Sequence, residues 1–297
     1  MKIFKLSWRG ICSILILIVS ITITGKCLKL IGSELLIRDA ITKTVDYDEF
    51  RRVRIEKDKF EKINQYTQKL LALSPELHGH PYINRIAYLT YSMILSDYDL
   101  LSRPVPDVNV FLRGIDRLSK TRTFQELYGY YREIFSDIRY FPVPLMGKDA
   151  EGVSYVDSWF APRSYGGNRK HEGTDLMAAN NTRGYFPILS ITDGVVENMG
   201  WLEQGGYRIG IRSVSGGYFY YAHMDTYAPG LKIGDSVIAG QLLGFMGDSG
   251  YGTEGTIGQF DVHLHLGIYV SSEGMEMSVN PYWILKILED NRTQLAH

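Results

Sequence analysis

The chain has 297 residues, 45% apolar and 22% charged, and is long enough for two globular domains. Its net charge is −1, but residues 1–150 hold 23 Lys and Arg against 17 Asp and Glu, and residues 151–297 hold 9 against 16. No basic patch with interleaved aromatic residues is present, which argues against a nucleic-acid partner. Cys12 and Cys27 are the two cysteines, so a disulfide framework and a thiolate metal site are excluded from the rest of the chain.

An apolar run, Gly10–Gly25, follows Lys2, Lys5 and Arg9 near the N-terminus. The run is shorter than the roughly 20 residues of a full membrane span, and the pattern is typical of a signal anchor or a cleaved signal peptide. Because no small-residue cleavage pattern follows, we favour an uncleaved transmembrane anchor over residues 1–29. The chain would then be a single-pass protein of the cell membrane with its C-terminal part outside the cytoplasm. Secretion after signal cleavage is the alternative.

Residues 30–144 are predicted to form a helical domain. Two series of apolar residues recur there at three- to four-residue spacing: Phe60, Ile63, Tyr66 and Leu70, then Ile83, Ile86, Tyr91 and Leu95. Ser74-Pro75-Glu76 predicts a helix start, with Ser as N-cap and Pro at the first position. A further helix is predicted from Thr123 to about Arg139. Pro142 and Pro144 cannot continue a helix, so we place the domain boundary there.

Residues 145–297 are rich in Gly, with short apolar runs between turns, and predict a β-rich domain. The predicted strands are Ser190–Val196, Tyr207–Ile211, Tyr218–Ala222, Gln241–Phe245 and Val262–Val270. A terminal helix is predicted over Pro281–Glu289. The expected fold class is therefore an α+β two-domain chain, with a membrane anchor and helical domain followed by the β domain.

Of the seven histidines, His171, His223, His263 and His265 lie within the predicted β domain, and His297 is its last residue. His263 and His265 are two apart in an apolar strand, so both imidazoles point to one face. His171 and Asp175 are four apart around a glycine, and both can reach one cation. His171, Asp175 and one histidine of the strand offer one carboxylate and two imidazoles, and a catalytic zinc site has three protein ligands with a fourth position open.

Each pattern alone also has a structural interpretation. Two histidines at this spacing are also found as polar residues on a wet sheet face. His223, at the end of a predicted strand, would by itself be a structural residue. His78 and His80 lie in a turn of the helical domain, and we interpret them as surface residues rather than as a metal site.

In this order, His171-Glu-Gly-Thr-Asp175, Tyr220-Tyr-Ala-His223 and His263-Leu-His265 resemble the signature of the lysostaphin-like (LytM-type) zinc metallopeptidases, over about residues 155–270. The resemblance implies a mainly antiparallel β peptidase domain and one Zn²⁺ per chain. It also implies a peptidoglycan peptide as substrate, hydrolysed by a membrane-bound endopeptidase. No pattern indicates an oligomeric state.

The resemblance implies roles for six residues. The zinc ligands would be His171, Asp175 and His265, and the catalytic residues would be His223, His263 and Tyr165. One of the two catalytic histidines would accept the proton of the attacking water and protonate the leaving amine. The other would hydrogen-bond the oxyanion, with help from Tyr165.

The stretch Tyr251–Val262 is longer than in the family and predicts a changed cleft wall. Three alternatives remain open. The first is a catalytically silent member that binds cell wall or a partner protein. The second is a membrane protein whose helices bind a partner while the β domain is a scaffold. The third is a different zinc hydrolase or a carrier-type β fold.

Overall fold

A computed structural model of the chain describes residues 8–147, 152–165, 167–272 and 274–294, so Lys2 and Lys5 lie outside the described residues. The helices are α1 (Trp8–Thr42), α2 (Tyr47–Arg51), α3 (Lys57–Leu73), α4 (Arg85–Leu95), α5 (Val108–Leu118), α6 (Arg122–Phe135) and α7 (Tyr282–Leu288). The strands are β1 (Arg54–Ile55), β2 (Asp99–Leu100), β3 (Val153–Ser154), β4 (Pro162–Arg163), β5 (Arg169–Lys170), β6 (Thr174–Ala178), β7 (Pro187–Leu189), β8 (Gly194–Leu202), β9 (Gly206–Ser213), β10 (Tyr218–Tyr227), β11 (Ser236–Val237), β12 (Leu242–Met246), β13 (His263–Ser272) and β14 (Met275–Val279).

Helix α1 is continuous across residue 29, where the anchor was predicted to end. Its stretch Ile11–Thr42 has a mean hydropathy of 2.2 in the most apolar window, none of which is buried. The helix is long and apolar enough to cross a membrane, but one such helix is weak evidence because a signal sequence has the same composition. Towards its C-terminal end, Ile37 and Ala40 are fully buried where α1 contacts α4 and α5.

The predicted helix start at Ser74-Pro75-Glu76 is wrong. Helix α3 ends there, and only a 3-10 turn over Pro75–Leu77 follows. A helix beginning at Pro75 would need an N–H at Pro81 to bond the carbonyl of Leu77, and proline has none. Helix α4 starts later, where the side chain of Asn84 accepts a hydrogen bond from the backbone N–H of Ala87 at 2.9 Å.

Ten of the twelve strands β3 to β14 form one antiparallel sheet in the order β11-β8-β9-β10-β13-β6-β3, with β12 pairing β10 and β7, and β14 pairing β13. Strands β4 and β5 form a separate two-stranded sheet. This α+β architecture confirms the predicted fold class. The prediction of a single strand over Ser190–Val196 is wrong, because β7 ends at Leu189 and β8 begins at Gly194. Between them Ser190 Oγ donates to the carbonyl of Thr192 at 2.7 Å, which closes a turn.

The helical part packs directly on this sheet, and both share one buried apolar core. The hydroxyls of Tyr130 in α6 and Ser272 in β13 are 2.9 Å apart, and Glu133 accepts a hydrogen bond from Ser271 N at 2.8 Å. Residues 139–145 run extended along the β part, where Phe141 N donates to the carbonyl of Asn291 at 3.0 Å. The division of the chain at 144 stays a prediction.

Arg51 joins the two parts through its guanidinium. Its Nε donates to the carbonyl of Ser278 at 2.8 Å and its Nη2 to Ser278 Oγ at 2.9 Å. The guanidinium also lies over the rings of Trp159 and Phe160, at 5.3 Å and 4.9 Å from the centroids. These contacts hold α2 against β14.

We expect Arg51→Ala to lower the free energy of unfolding by about 2 kcal/mol, because charged hydrogen bonds and the cation–π contacts are lost together. Arg52→Ala is the matched control, since Arg52 is 51% exposed and pairs only with Glu49. Its expected cost is below about 1 kcal/mol. Urea denaturation of the purified full-length chain measures both, and equal losses would contradict the role given to Arg51.

Candidate metal centre and cleft

Strands β6 and β13 place the predicted metal ligands opposite one another. In their antiparallel register His265 is paired with Asp175, and His263 with Met177. Because side chains alternate across a strand, both histidines of β13 share one face of the sheet. His171 precedes β6 and is fixed by its backbone, which donates to the carbonyl of Ala161 at 2.9 Å and accepts from Phe160 N at 2.7 Å.

The ligand atoms of these three residues converge on one point. His171 Nε2 lies 3.0 Å from Asp175 Oδ1 and 2.9 Å from His265 Nδ1, and the latter two atoms are also 2.9 Å apart. Two ligands of a tetrahedral zinc ion are separated by about 3.3 Å, given metal–ligand distances of about 2.0–2.2 Å. One carboxylate and two imidazoles at this spacing therefore fit a single Zn²⁺.

Backbone carbonyls determine which ring nitrogen carries the proton in three of the histidines. His171 Nδ1 lies 2.9 Å from the carbonyl of Ser158, and His223 Nδ1 lies 2.8 Å from that of Ser249. His263 Nδ1 is 2.7 Å from the carbonyl of Asp261. A carbonyl only accepts hydrogen bonds, so each Nδ1 is the donor and each Nε2 of the neutral ring keeps a lone pair.

The imidazole of His223 lies beside the histidine cluster because β10 is irregular at this residue. The pairing of β10 with β9 shifts between Tyr221 and Met224, and His223 itself has φ +61°. A positive φ is uncommon outside glycine and occurs where the surroundings enforce it. The bulge turns the imidazole towards β13, where its ring centroid is 4.7 Å from that of His263 and 6.0 Å from that of His265.

Burial and neighbouring charge set the protonation of the cluster. Burial alone raises the pKa of the Asp175 carboxyl, but the neighbouring imidazoles of His171, His265 and His263 outweigh burial and hold that pKa well below its usual range. Burial lowers the pKa of His223 well below its ordinary value, and His263 nearby adds to the effect. The pKa of His265 is also lowered, mainly by burial. Near neutral pH these shifts favour a carboxylate at Asp175 and a neutral imidazole at His265, the forms that bind a metal.

The cluster lies on the floor of an open cleft of about 720 Å³. The insertion that was predicted to change the cleft wall supplies Tyr251 and Phe260, and the Phe260 ring centroid is 4.6 Å from that of His223 and 5.1 Å from that of His263. Tyr165 stacks on Tyr251 with ring centroids 4.0 Å apart. The ring of Tyr251 also lies perpendicular to that of His223, with the two ring centroids 5.9 Å apart.

Comparison with known proteins matches this domain to a peptidase family. The profile of peptidase family M23 fits residues 169–281. A solved structure of lytM from Ruminococcus gnavus is 41% identical, with a TM-score of 0.68, and the match covers 86% of this chain and 96% of that one. The chain belongs to peptidase family M23. The match with lytM extends beyond the peptidase domain into the helical part.

Two curated relatives of this M23 peptidase are similar to it over a smaller share of the chain. The L-Ala--D-Glu endopeptidase of Bacillus subtilis is 40% identical over 166 residues, which is 56% of this chain and 48% of that protein. Lysostaphin of Staphylococcus simulans is 31% identical over 118 residues, 39% of this chain and 21% of that protein. The chain thus spans about half the length of the first relative and less of the second.

Several residues of the site were not found from the sequence. Arg163 donates to Asp175 Oδ2 at 2.6 Å and so orients the carboxylate. The carbonyls of Ser158 and Ser249 orient two imidazoles, and a backbone carbonyl carries no sequence signal. Phe260 and Tyr251 had a signal, because they lie in the insertion that departs from the family pattern.

Gly173 leaves the space that His265 occupies. A Cβ at this position would lie 2.5 Å from His265 Cε1 and 2.5 Å from the carbonyl oxygen of Leu266. The imidazole can rotate away, but the carbonyl belongs to β13 and cannot. A side chain here must therefore push β6 and β13 apart.

We expect Gly173→Ala to lower the free energy of unfolding by about 1–3 kcal/mol, because the overlap is with backbone as well as side chain. Gly152→Ala is the control in the same part of the chain, since nothing lies within 4 Å of its Cβ position. Chemical denaturation of both variants checks the expectation. A stability of Gly173→Ala equal to that of Gly152→Ala would show that the two strands tolerate the methyl group.

Proposed function

We propose that this M23 peptidase is a membrane-anchored zinc endopeptidase that hydrolyses peptide bonds in bacterial peptidoglycan. The observation that carries the proposal is the convergence of His171, Asp175 and His265 to within 3.0 Å of one another, beside two further imidazoles in an open cleft. Three protein ligands and an open side are what a catalytic rather than a structural zinc site requires.

His171 Nε2, Asp175 Oδ1 and His265 Nδ1 would hold one Zn²⁺ per chain. When bound, Zn²⁺ supplies Lewis-acid chemistry that polarises a carbonyl group and a water molecule. Arg163 holds the other carboxylate oxygen, Oδ2, at 2.6 Å, which leaves Oδ1 for the metal. The carbonyl of Ser158 keeps the proton of His171 on Nδ1, so Nε2 stays unprotonated for the metal.

His223 and His263 would provide general acid–base catalysis and oxyanion stabilisation. Both keep an unprotonated Nε2, and a group of this kind accepts the proton of the attacking water and returns it to the leaving amine. The second imidazole, once protonated at Nε2, would donate a hydrogen bond that stabilises the oxyanion. Tyr165 is assigned an assisting part in oxyanion stabilisation, and the closeness of Tyr251 to His223 makes Tyr251 a second candidate for it.

The substrate and location rest on the relatives and on α1. One relative is an L-Ala--D-Glu endopeptidase and another is lysostaphin, and the first name describes a bond in an acidic peptide. The exposed apolar stretch of α1 fits an anchor, and the proposed units are residues 1–29 as anchor, 30–144 as helical domain and 145–297 as peptidase domain. An extracytoplasmic domain held at the membrane would lie within reach of the cell wall.

Alanine variants distinguish the proposed metal ligands from the two proposed catalytic histidines. We expect Asp175→Ala and His265→Ala to retain less than about a tenth of the bound zinc, because two ligands alone hold the ion poorly. His223→Ala and His263→Ala should retain zinc and lose about 10²- to 10⁴-fold in kcat, the usual contribution of general acid–base catalysis. Elemental analysis and peptidase assays of the same preparations measure both quantities.

His78→Ala is the matched control, since His78 is exposed and, within the described residues, its side chain hydrogen-bonds the carbonyl of Leu71, away from the cleft. It should keep both zinc and activity. Full activity in His223→Ala, or zinc retained by Asp175→Ala, would overturn the assigned roles.

Chelation tests the function directly. The full-length protein incubated with purified peptidoglycan should release peptide fragments, and a chelator should stop the release until zinc is restored. Mass spectrometry of the fragments identifies the bond. Zinc-loaded protein that binds peptidoglycan without releasing fragments would favour a catalytically silent member of the family.

A further inference from the structure

Arg208 lies on the same face of the sheet as the histidine cluster and lines the same cleft. Its backbone is fixed, because its N–H donates to the hydroxyl of Tyr227 at 3.1 Å and its carbonyl accepts from that hydroxyl at 3.2 Å. In the sheet it is paired with Gly200, which has no side chain to cover it. The guanidinium is therefore presented to the cleft from a rigid strand.

Two nitrogens of this guanidinium lack a partner. Nε and Nη1 of Arg208 are buried and have no hydrogen bond to any of the described residues. Buried charged donors are strongly disfavoured unless an acceptor is supplied, and nearly all are paired in folded proteins. An unpaired arginine in a substrate cleft is therefore a candidate ligand-binding group.

The three carboxylates that line the cleft either bind other residues or are exposed to solvent. Asp175 is held by the two imidazoles and by Arg163. Glu276 accepts a hydrogen bond from Arg212 at 2.6 Å. Glu172 is exposed and forms no ion pair with Arg208 within the described part of the chain. The positive charge of Arg208 is thus not neutralised by any of the three carboxylates that line the cleft.

The surroundings of Arg208 connect it with the metal centre. Tyr220, whose ring centroid is 6.0 Å from that of His265, lines the cleft together with Tyr218 and Tyr269. These rings form a neutral, largely apolar floor, on which a peptide can lie extended from the histidines to the guanidinium. Arg169 and Lys170 add positive charge on the cleft rim.

We propose that Arg208 is a specificity-determining residue that binds a free carboxylate of the peptide substrate within one or two residues of the scissile bond. The guanidinium offers parallel N–H donors that match both oxygens of a carboxylate, whereas a carboxamide has one acceptor oxygen and no charge. The enzyme therefore prefers acidic peptides to their amidated counterparts. This inference rests on the proposed peptidase function.

The test compares three synthetic stem peptides of peptidoglycan on the zinc-loaded full-length protein. One has all carboxyl groups free, one carries a carboxamide at the second residue, and one carries it at the third. We expect one of the amidated peptides to have a kcat/KM at least tenfold lower, mostly through KM. Arg208→Met should reduce that preference to within about twofold, by slowing cleavage of the acidic peptide alone.

Arg208→Lys keeps the charge and should retain part of the preference, which separates a charge effect from a folding defect. Lys232→Met removes a positive charge from an exposed loop outside the cleft and should leave the preference unchanged. A wild-type enzyme that cleaves all three peptides equally, or an Arg208→Met variant that keeps the preference, would refute the proposal.

Calorimetric binding of the same peptides separates this inference from the proposed function. If no peptide is cleaved but the acidic one binds at least tenfold more tightly in wild type and not in Arg208→Met, the carboxylate site stands and the peptidase function falls. If cleavage occurs without any preference in rate or binding, the peptidase function stands and the carboxylate site falls.

Discussion

The antiparallel pairing of β6 with β13 is the constraint on which the site depends. It sets Asp175 opposite His265 and leaves His263 on the same face. A slip of one residue in this register would turn both histidines into the opposite, buried layer and bring Leu264 into the cleft. Leu264 and Leu266 are fully buried on that opposite face, so the hydrophobic layer beneath the sheet is what fixes the register.

The remaining parts of the centre are added to this pair by irregular backbone. His171 comes from the loop before β6, and His223 comes from a bulge in β10 with a positive φ. Glycine makes the close approach possible, since Gly173 lies where a Cβ would meet both His265 and the backbone of β13. Such local irregularities cost free energy, and the rigid sheet on both sides is what maintains them.

The cleft above the sheet combines two kinds of wall. On one side the insertion contributes Tyr251 and Phe260 against the imidazoles. His223 is buried there, and burial lowers its pKa. The other wall consists of tyrosines of β10 and β13 together with Arg208. Among the described residues, none of the helical part lines this cleft. The helical part packs against β14 through α2 and against the end of β13 through α6.

Much of the fold and the candidate ligands followed from the sequence. The three- to four-residue spacing of apolar residues predicted α3 and α4, and short apolar runs between turns predicted most of the long strands. The predictions failed at Ser74 and at Ser190–Val196, where proline chemistry and a side-chain hydrogen bond ended the regular structure. The extent of α1 was also underestimated, since Lys26 and Lys29 interrupt its apolar character without interrupting the helix.

The amino-acid sequence by itself determined which residues have metal-binding chemistry, the spacing of His263 and His265 on one face, and the change from helical to strand periodicity. Only the tertiary structure decided that His171, Asp175 and His265 meet within 3.0 Å and which nitrogen of each carbonyl-bound imidazole is protonated. It also decided that Nε and Nη1 of Arg208 have no hydrogen-bond partner among the described residues. The physical reason is that these properties depend on strand register, on backbone carbonyls and on burial. All three arise from contacts between residues far apart in the chain.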